Sequence, residues 1–101
     1  MNNLNSVLIE GELIDDPKTS FSEENAPVCI FSIATRRTFK RDDELHQEVS
    51  HFQIRAYSRI ASTCSEYLRK GRGVRVVGRL KQDGEKIYIV AEHVEFKSQK
   101  D

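Results

Sequence analysis

Between residues 36 and 41 the chain reads Arg36-Arg37-Thr38-Phe39-Lys40-Arg41, an aromatic ring set inside a run of cations. Farther on, His51, Gln53, Arg55 and Tyr57 alternate with Phe52, Ile54 and Ala56. Strand geometry sends alternate side chains to opposite faces, so one face would meet a core while the other gathers cation, amide and aromatic groups. Arg75, Arg79 and Lys81 alternate in the same way with Val74, Val76, Gly78 and Leu80. Cations neutralise phosphates and exposed rings stack on flat bases, which is the pair of contacts an unpaired polynucleotide offers. One such stack is worth about 1–3 kcal/mol and tolerates any base. Each neutralised phosphate adds about −0.7 to the salt slope on single strands.

The candidate contact residues are therefore Arg36, Arg37, Phe39, Lys40, His51, Arg55, Tyr57, Lys70, Arg72, Arg75, Arg79 and Lys81. Tyr88 belongs either to the same sheet face or to the interior. Plainer roles exist for each: Phe39 packed against the domain, Tyr57 in the core with its hydroxyl at the rim, His51 and the cations merely solvated. Tyr67 lies on the apolar stripe of a helix and is expected in the core. Rings among cations do not by themselves distinguish DNA from RNA.

The formal net charge is zero, but the charges are unevenly distributed. From Val49 to Gln82 there are eight Lys or Arg residues and a single acid, Glu66, so the remainder of the chain is acidic. Salt screens charges beyond about 8–10 Å, so a polyanion responds to this local excess and not to the total. Catalytic chemistry finds no footing. His46, His51 and His93 have no ligand spacing with one another or with Cys29 and Cys64, and Asp42-Asp43-Glu44 reads as a solvated loop. Gly71-Arg72-Gly73 lacks the continuation of a phosphate-cradling loop. No metal, no cofactor and no enzymatic activity are expected, and the two cysteines read as buried thiols. No stretch resembles an export signal or a membrane span, so a cytosolic protein is expected.

Positioning these residues takes a small set of elements within one domain, its core spanning about residues 5–96 of the 101. A first strand runs from about Asn5 to Leu13 and is broken by Asp15-Asp16-Pro17. A polar stretch from Ser20 to Asn25 leads into a second strand, roughly Val28 to Arg37, and Lys40 to Glu48 reads as a hairpin loop. The third strand is Val49 to Tyr57. Ser58 is positioned to cap a helix over about Arg59 to Lys70, with Gly71 as its left-handed stop. Gly73 to Lys81 and Lys86 to Phe96 form the last two strands around an Asp83-Gly84 turn. Five strands with one helix between the third and the fourth predict an all-β OB-fold barrel, in which Gly11 and Gly78 suit the bends.

The residues also resemble a family. Ser6-Val7-Leu8-Ile9-Glu10-Gly11-Glu12-Leu13-Ile14-Asp15-Asp16-Pro17 is similar to the opening of bacterial single-stranded DNA-binding proteins, and Phe31-Ser32-Ile33-Ala34-Thr35 to their second strand. Ser65-Glu66-Tyr67-Leu68-Arg69-Lys70-Gly71 resembles their helix end, and Val76-Val77-Gly78-Arg79-Leu80 their fourth strand. The resemblance implies binding of single-stranded DNA without strong sequence preference, in replication, repair and recombination, by a homo-oligomer, a tetramer over a dimer. It implies that Phe39 occupies an aromatic platform usually held by tryptophan, that Tyr57 matches a stacking phenylalanine, and that His51 stands where a second tryptophan is common. Lys70, Arg79 and Lys81 are the better basic matches.

Three features depart from the family pattern. The chain has no tryptophan, its Lys81–Lys86 hairpin is short, and it ends at Asp101 without an acidic Pro-Phe tip. These departures lead to an expectation of weaker or shorter-footprint DNA binding, and recruitment of partners through a tail is not carried over from the family. The alternative class is an OB-fold accessory protein similar to the primosomal replication proteins, working through protein contacts. An RNA-binding OB domain is a third.

Overall fold

β-Branched and aromatic residues dominate the segments that become strands, and turn-forming residues separate them. The computed structural model describes residues 1–98. It contains β1 (Val7–Leu13), β2 (Lys18–Phe21), β3 (Pro27–Arg41), β4 (Glu44–Tyr57), α1 (Ser58–Tyr67), β5 (Gly73–Asp83) and β6 (Lys86–Phe96). The sheet order is β1-β5-β6-β4-β3-β2, and β1 also pairs with β3 at Glu12↔Ala34 and Leu13↔Ile33. That second pairing closes five strands into a barrel with β2 as an outlying ribbon. All neighbours are antiparallel except β4 and β6, which run parallel and pair only at Ile54↔Ile89 and Arg55↔Val90. This is the OB-fold expected from the strand order.

β2 was not anticipated. Its four residues are all exposed, Phe21 included, and pair with Pro27–Ile30, so the segment gains a ladder without any buried position to mark it. The supposed loop Lys40–Glu48 is mostly strand as well. β3 and β4 stay in register from Val28↔Tyr57 to Arg41↔Glu44, leaving only Asp42 and Asp43 to turn the chain. Both have positive φ, 52° and 64°, which is the two-residue turn that follows the natural twist of a hairpin. Asp tolerates this conformation better than most residues because its short polar side chain bonds locally.

The core is filled from the inward positions of every barrel strand. Leu13, Phe31, Ile33, Ile54, Val74, Val76 and Ile89 are buried there with Ala61, Cys64 and Leu68 from the helical segment. Cys29 and Cys64 are free and buried, as expected of small hydrophobes. Among the described residues no buried side-chain polar atom lacks a hydrogen bond. Two glycines permit the closest approaches between strands: a Cβ on Gly11 would strike the carbonyl of Ala34, and one on Gly78 that of Val90. Gly78 lies at the one irregularity of the β5–β6 ladder, where Glu92 bulges out of register.

Several local expectations change. Ser58 does not cap α1; it opens the helix at φ 56°, after Tyr57 in the cap position, and no side chain bonds to the helix start. The helix stops at Tyr67, so Gly71 (φ 88°) turns the chain some residues later, its N–H donating to the Leu13 carbonyl at 2.9 Å. Tyr67, expected in the core, is 56% exposed and leans on Phe96 with ring centroids 6.2 Å apart. Ala61, Cys64 and Leu68 complete the helix's buried face without it. Phe52 and Leu80 have inward register but lie near the barrel ends, where they remain partly exposed. The turn after β5 is Gly84-Glu85, opened by Gly84 at φ 63°, one position beyond the Asp83-Gly84 expected.

Candidate nucleic-acid interface

The odd positions of β4 do form an outward face, and strand pairing determines what lies beside it. Val90 pairs with Arg55 on one side and Arg79 on the other, and Tyr88 pairs with Lys81. His51, Gln53, Arg55 and Tyr57 of β4, Tyr88 and Val90 of β6, and Arg79 and Lys81 of β5 thus share the outer surface of one three-stranded patch. Tyr57 is 38% exposed, at the end of β4 where it meets α1. Arg79 makes a long ion pair with Glu92, Nη1 to Oε2 at 3.5 Å. Both partners are half-exposed, so the pair is worth little against a competing phosphate.

Arg55 and Tyr88 settle the two alternatives left open for that tyrosine. Tyr88 lies on the outer face by register, yet it is only 5% exposed, with the Arg55 guanidinium over it, Cζ 3.9 Å from the ring centroid. Its ring is therefore not an open platform. Arg55 Nε donates to Gln53 Oε1 at 2.9 Å, and among the described residues no carboxylate pairs with it.

Phe39 sits elsewhere. Alternation along β3 puts it on the face that carries Cys29, Phe31 and Ile33 inside the barrel, opposite the face of Arg36, Thr38 and Lys40. It lies beyond the barrel, on the projecting end of the hairpin, half-buried by its own neighbours. Its ring stacks on His46 at 5.5 Å and 21°, with Arg37 Cζ at 4.9 Å and Arg41 Cζ at 5.6 Å. His46 and Arg41 were missed as candidates. The Asp-Asp turn carried the signal, since a two-residue turn there places residue 46 opposite residue 39. Arg37 has only a 4.0 Å contact to Glu48.

The remaining cations serve the fold in part. Arg75 is bound to Glu10 through Nε and Nη2, at 3.1 and 2.9 Å to Oε2, and Lys97 Nζ takes the other carboxylate oxygen at 2.8 Å. Hydrogen bonds from Lys97 and Arg75 hold the Glu10 carboxyl below its ordinary pKa. Arg72 donates to the Lys97 carbonyl at 3.1 Å and lies 5.6 Å over Phe96. Lys70 anchors the turn after α1, its backbone N–H donating to Asp16 Oδ1 at 2.8 Å. Lys70 also lines an open groove with Arg36, Glu10, Glu12 and Ala34. Arg75 and Arg72 are thus engaged within the fold, away from the patch built on Arg55 and Arg79. Among the described residues no cluster of His, Cys, Asp and Glu could hold a metal ion, and no helix is long and apolar enough to cross a membrane.

A five-stranded OB barrel whose outer sheet gathers guanidinium, amide and aromatic groups defines a class, the oligonucleotide- and oligosaccharide-binding barrels. Residues 4–96 match the model of the single-strand binding protein family, and the chain belongs to that family. It is 35% identical over 83 residues to the single-stranded DNA-binding protein of Borreliella burgdorferi, covering 82% of this chain and 56% of that one. It is also 35% identical over 100 residues to that of Aquifex aeolicus, covering 90% and 68%. The chain thus spans roughly half to two thirds of these relatives. Its fold matches the Plasmodium falciparum SSB in complex with ssDNA with a TM-score of 0.86 at 23% identity, over 97% of this chain and 98% of that one. The wild-type single-stranded DNA-binding protein of Thermus aquaticus gives 0.81 at 23%, over 94% and 50%.

Proposed function

We propose that the chain binds single-stranded DNA without sequence preference, protecting exposed strands during replication, repair and recombination. The observation that carries this reading is the outer face of β4, β6 and β5, where Arg55 and Arg79 flank Val90 and Tyr57 stands exposed beside them. Arg79 and Lys81 on this face offer cations to a phosphate chain, while flat groups beside them, Tyr57 foremost, take bases in any order. Family membership and relatives named as single-stranded DNA-binding proteins support the same reading. The projecting hairpin adds Phe39 as a second platform, with Arg37 and Arg41 against its ring and Arg36 and Lys40 on the opposite face of the strand. Lys70, Arg72 and Arg75 are peripheral to this path.

We further infer self-association, a tetramer over a dimer. Leu8 on the outer side of β1 is 71% exposed, and a small domain gains stability by covering such groups. The decisive experiment is a fluorescence-anisotropy titration of labelled oligo-dT and of a matched duplex at two salt concentrations. Salt-dependent preference for the single strand is the expected result. Equal or absent binding to both overturns the reading and favours an accessory protein whose work lies in protein contacts.

A further inference from the structure

We propose that the Arg55 guanidinium is itself a base-stacking platform, held flat by Tyr88 beneath it, and not a phosphate contact. This rests on the single-strand-binding reading above and assigns one residue's role within it. A Cζ only 3.9 Å from the ring centroid is at stacking distance. A guanidinium standing edge-on would interpose its N–H hydrogens and hold the carbon farther off. Planar stacking on aromatic faces is a property of arginine that lysine does not share. One face of the plane is therefore taken by Tyr88, whose ring is buried although its register is outward.

The second face of the guanidinium is turned outward. Arg55 is half-buried, lies on the outer side of β4 between exposed Gln53 and Tyr57, and has no carboxylate partner among the described residues. Gln53 Oε1 takes the Nε hydrogen at 2.9 Å, which fixes the rotation of the plane along the sheet. Ring below, amide at the edge and open face above make a preorganised cationic shelf. A base laid on it stacks on a π-system already backed by another, and meets a full positive charge, a combination aromatic rings alone do not provide. The chain has no tryptophan, and this shelf supplies a flat surface in a different form. Tyr88 acts through Arg55 and is a positioning residue.

The test compares oligo-dT with an abasic deoxyribose-phosphate strand of equal length, titrated against wild type, Arg55→Lys, Tyr88→Phe and Tyr88→Leu. Arg55→Lys keeps the charge and loses the plane. It is expected to weaken oligo-dT binding about tenfold with the salt slope unchanged, and to leave the abasic strand within about twofold. Tyr88→Phe retains wild-type affinity, and Tyr88→Leu reproduces the Arg55→Lys loss, its fold checked by thermal melting. Unchanged oligo-dT affinity in Arg55→Lys overturns the inference, as does an equal loss on both strands. A wild-type protein that ignores oligo-dT fails the functional reading itself, which is a separate and recognisable result.

Discussion

Removing Phe39 and Tyr57, singly and together, tests how the proposed DNA path is laid over the molecule. Tyr57 pairs with Val28, and Phe39 lies eleven residues farther along β3, which places the two rings about 36 Å apart measured along the strand. They also occupy opposite faces of the β3–β4 ribbon. Each alanine substitution removes one stack, so each is expected to cost about 1–3 kcal/mol with a long oligo-dT, or about 5- to 150-fold in Kd. Sites this far apart share no partner, and the double variant should lose the sum of the two within about 0.5 kcal/mol. Neither ring belongs to the buried core, so the melting temperatures should stay close to wild type. The assay is anisotropy with oligo-dT of stepped length. One nucleotide advances about 3.4 Å when stacked and roughly twice that when extended, so a four-nucleotide strand cannot reach both rings and a twenty-nucleotide strand can. A coupling energy above about 1 kcal/mol would refute the separation, because it requires the rings to share one site. Unchanged affinity in both single variants would refute stacking altogether.

Three further outcomes follow from the same geometry. Arg79→Ala should flatten the salt dependence of single-strand binding by about 0.7 in slope, whereas Glu92→Gln, by releasing Arg79 from its 3.5 Å pair, should tighten binding; an unaltered slope removes Arg79 from the path. Gly78→Ala drives a methyl group into the Val90 carbonyl, and strands held on both sides have little room to yield. A loss of about 1–3 kcal/mol is expected, seen as a lowered thermal midpoint, and a midpoint equal to wild type would contradict the close approach. Burial pushes the Cys64 thiol up to about 12, with Cys29 beside it adding to the shift, against an ordinary 9.0. The folded state then keeps a proton that the unfolded chain releases, so this contribution is whole below pH 9 and is lost as pH rises towards 12. The alkaline decline of the melting temperature should be shallower in Cys64→Ala than in wild type, and equal profiles would refute the assignment.

The barrel was legible because its inward positions obey period-2 alternation almost throughout, and Ile54, Ala56, Val74 and Val76 are buried where that pattern puts them. Legibility failed where pairing, not burial, makes the strand. β2 has four exposed residues, and the ends of β3 and β4 carry only scattered, exposed or half-buried apolar residues such as Phe39, Leu45 and Val49, so no buried alternating face marks them. The candidate site was read unevenly for a related reason. Alternation correctly set Arg55 and Tyr57 on an outward face. Sequence could not show that β6 lies beside β4, because parallel neighbours are brought together by closure of the barrel and not by a turn. The covering of Tyr88 by Arg55 depends on that neighbourhood. So does the separation of Arg55 and Arg79, which can meet a ligand together, from Arg75, whose charge Glu10 already occupies.

The parallel seam between β4 and β6 has a consequence for how the domain breathes. Two paired positions join these strands, as few as at the β1–β3 closure, against fourteen along the β3–β4 hairpin. Openings below global unfolding run through the least-connected boundaries, so amides flanking Arg55 and Val90 should exchange with solvent before those of the hairpin base. In the proposed function, a DNA strand laid across Tyr57, Arg55 and Arg79 would bridge that boundary from outside. A ligand that binds only the closed arrangement stabilises it in proportion to its affinity and concentration. Single-stranded DNA would then act as the missing rungs of the ladder, so that the protein is least stable when idle and best knit while it holds its cargo.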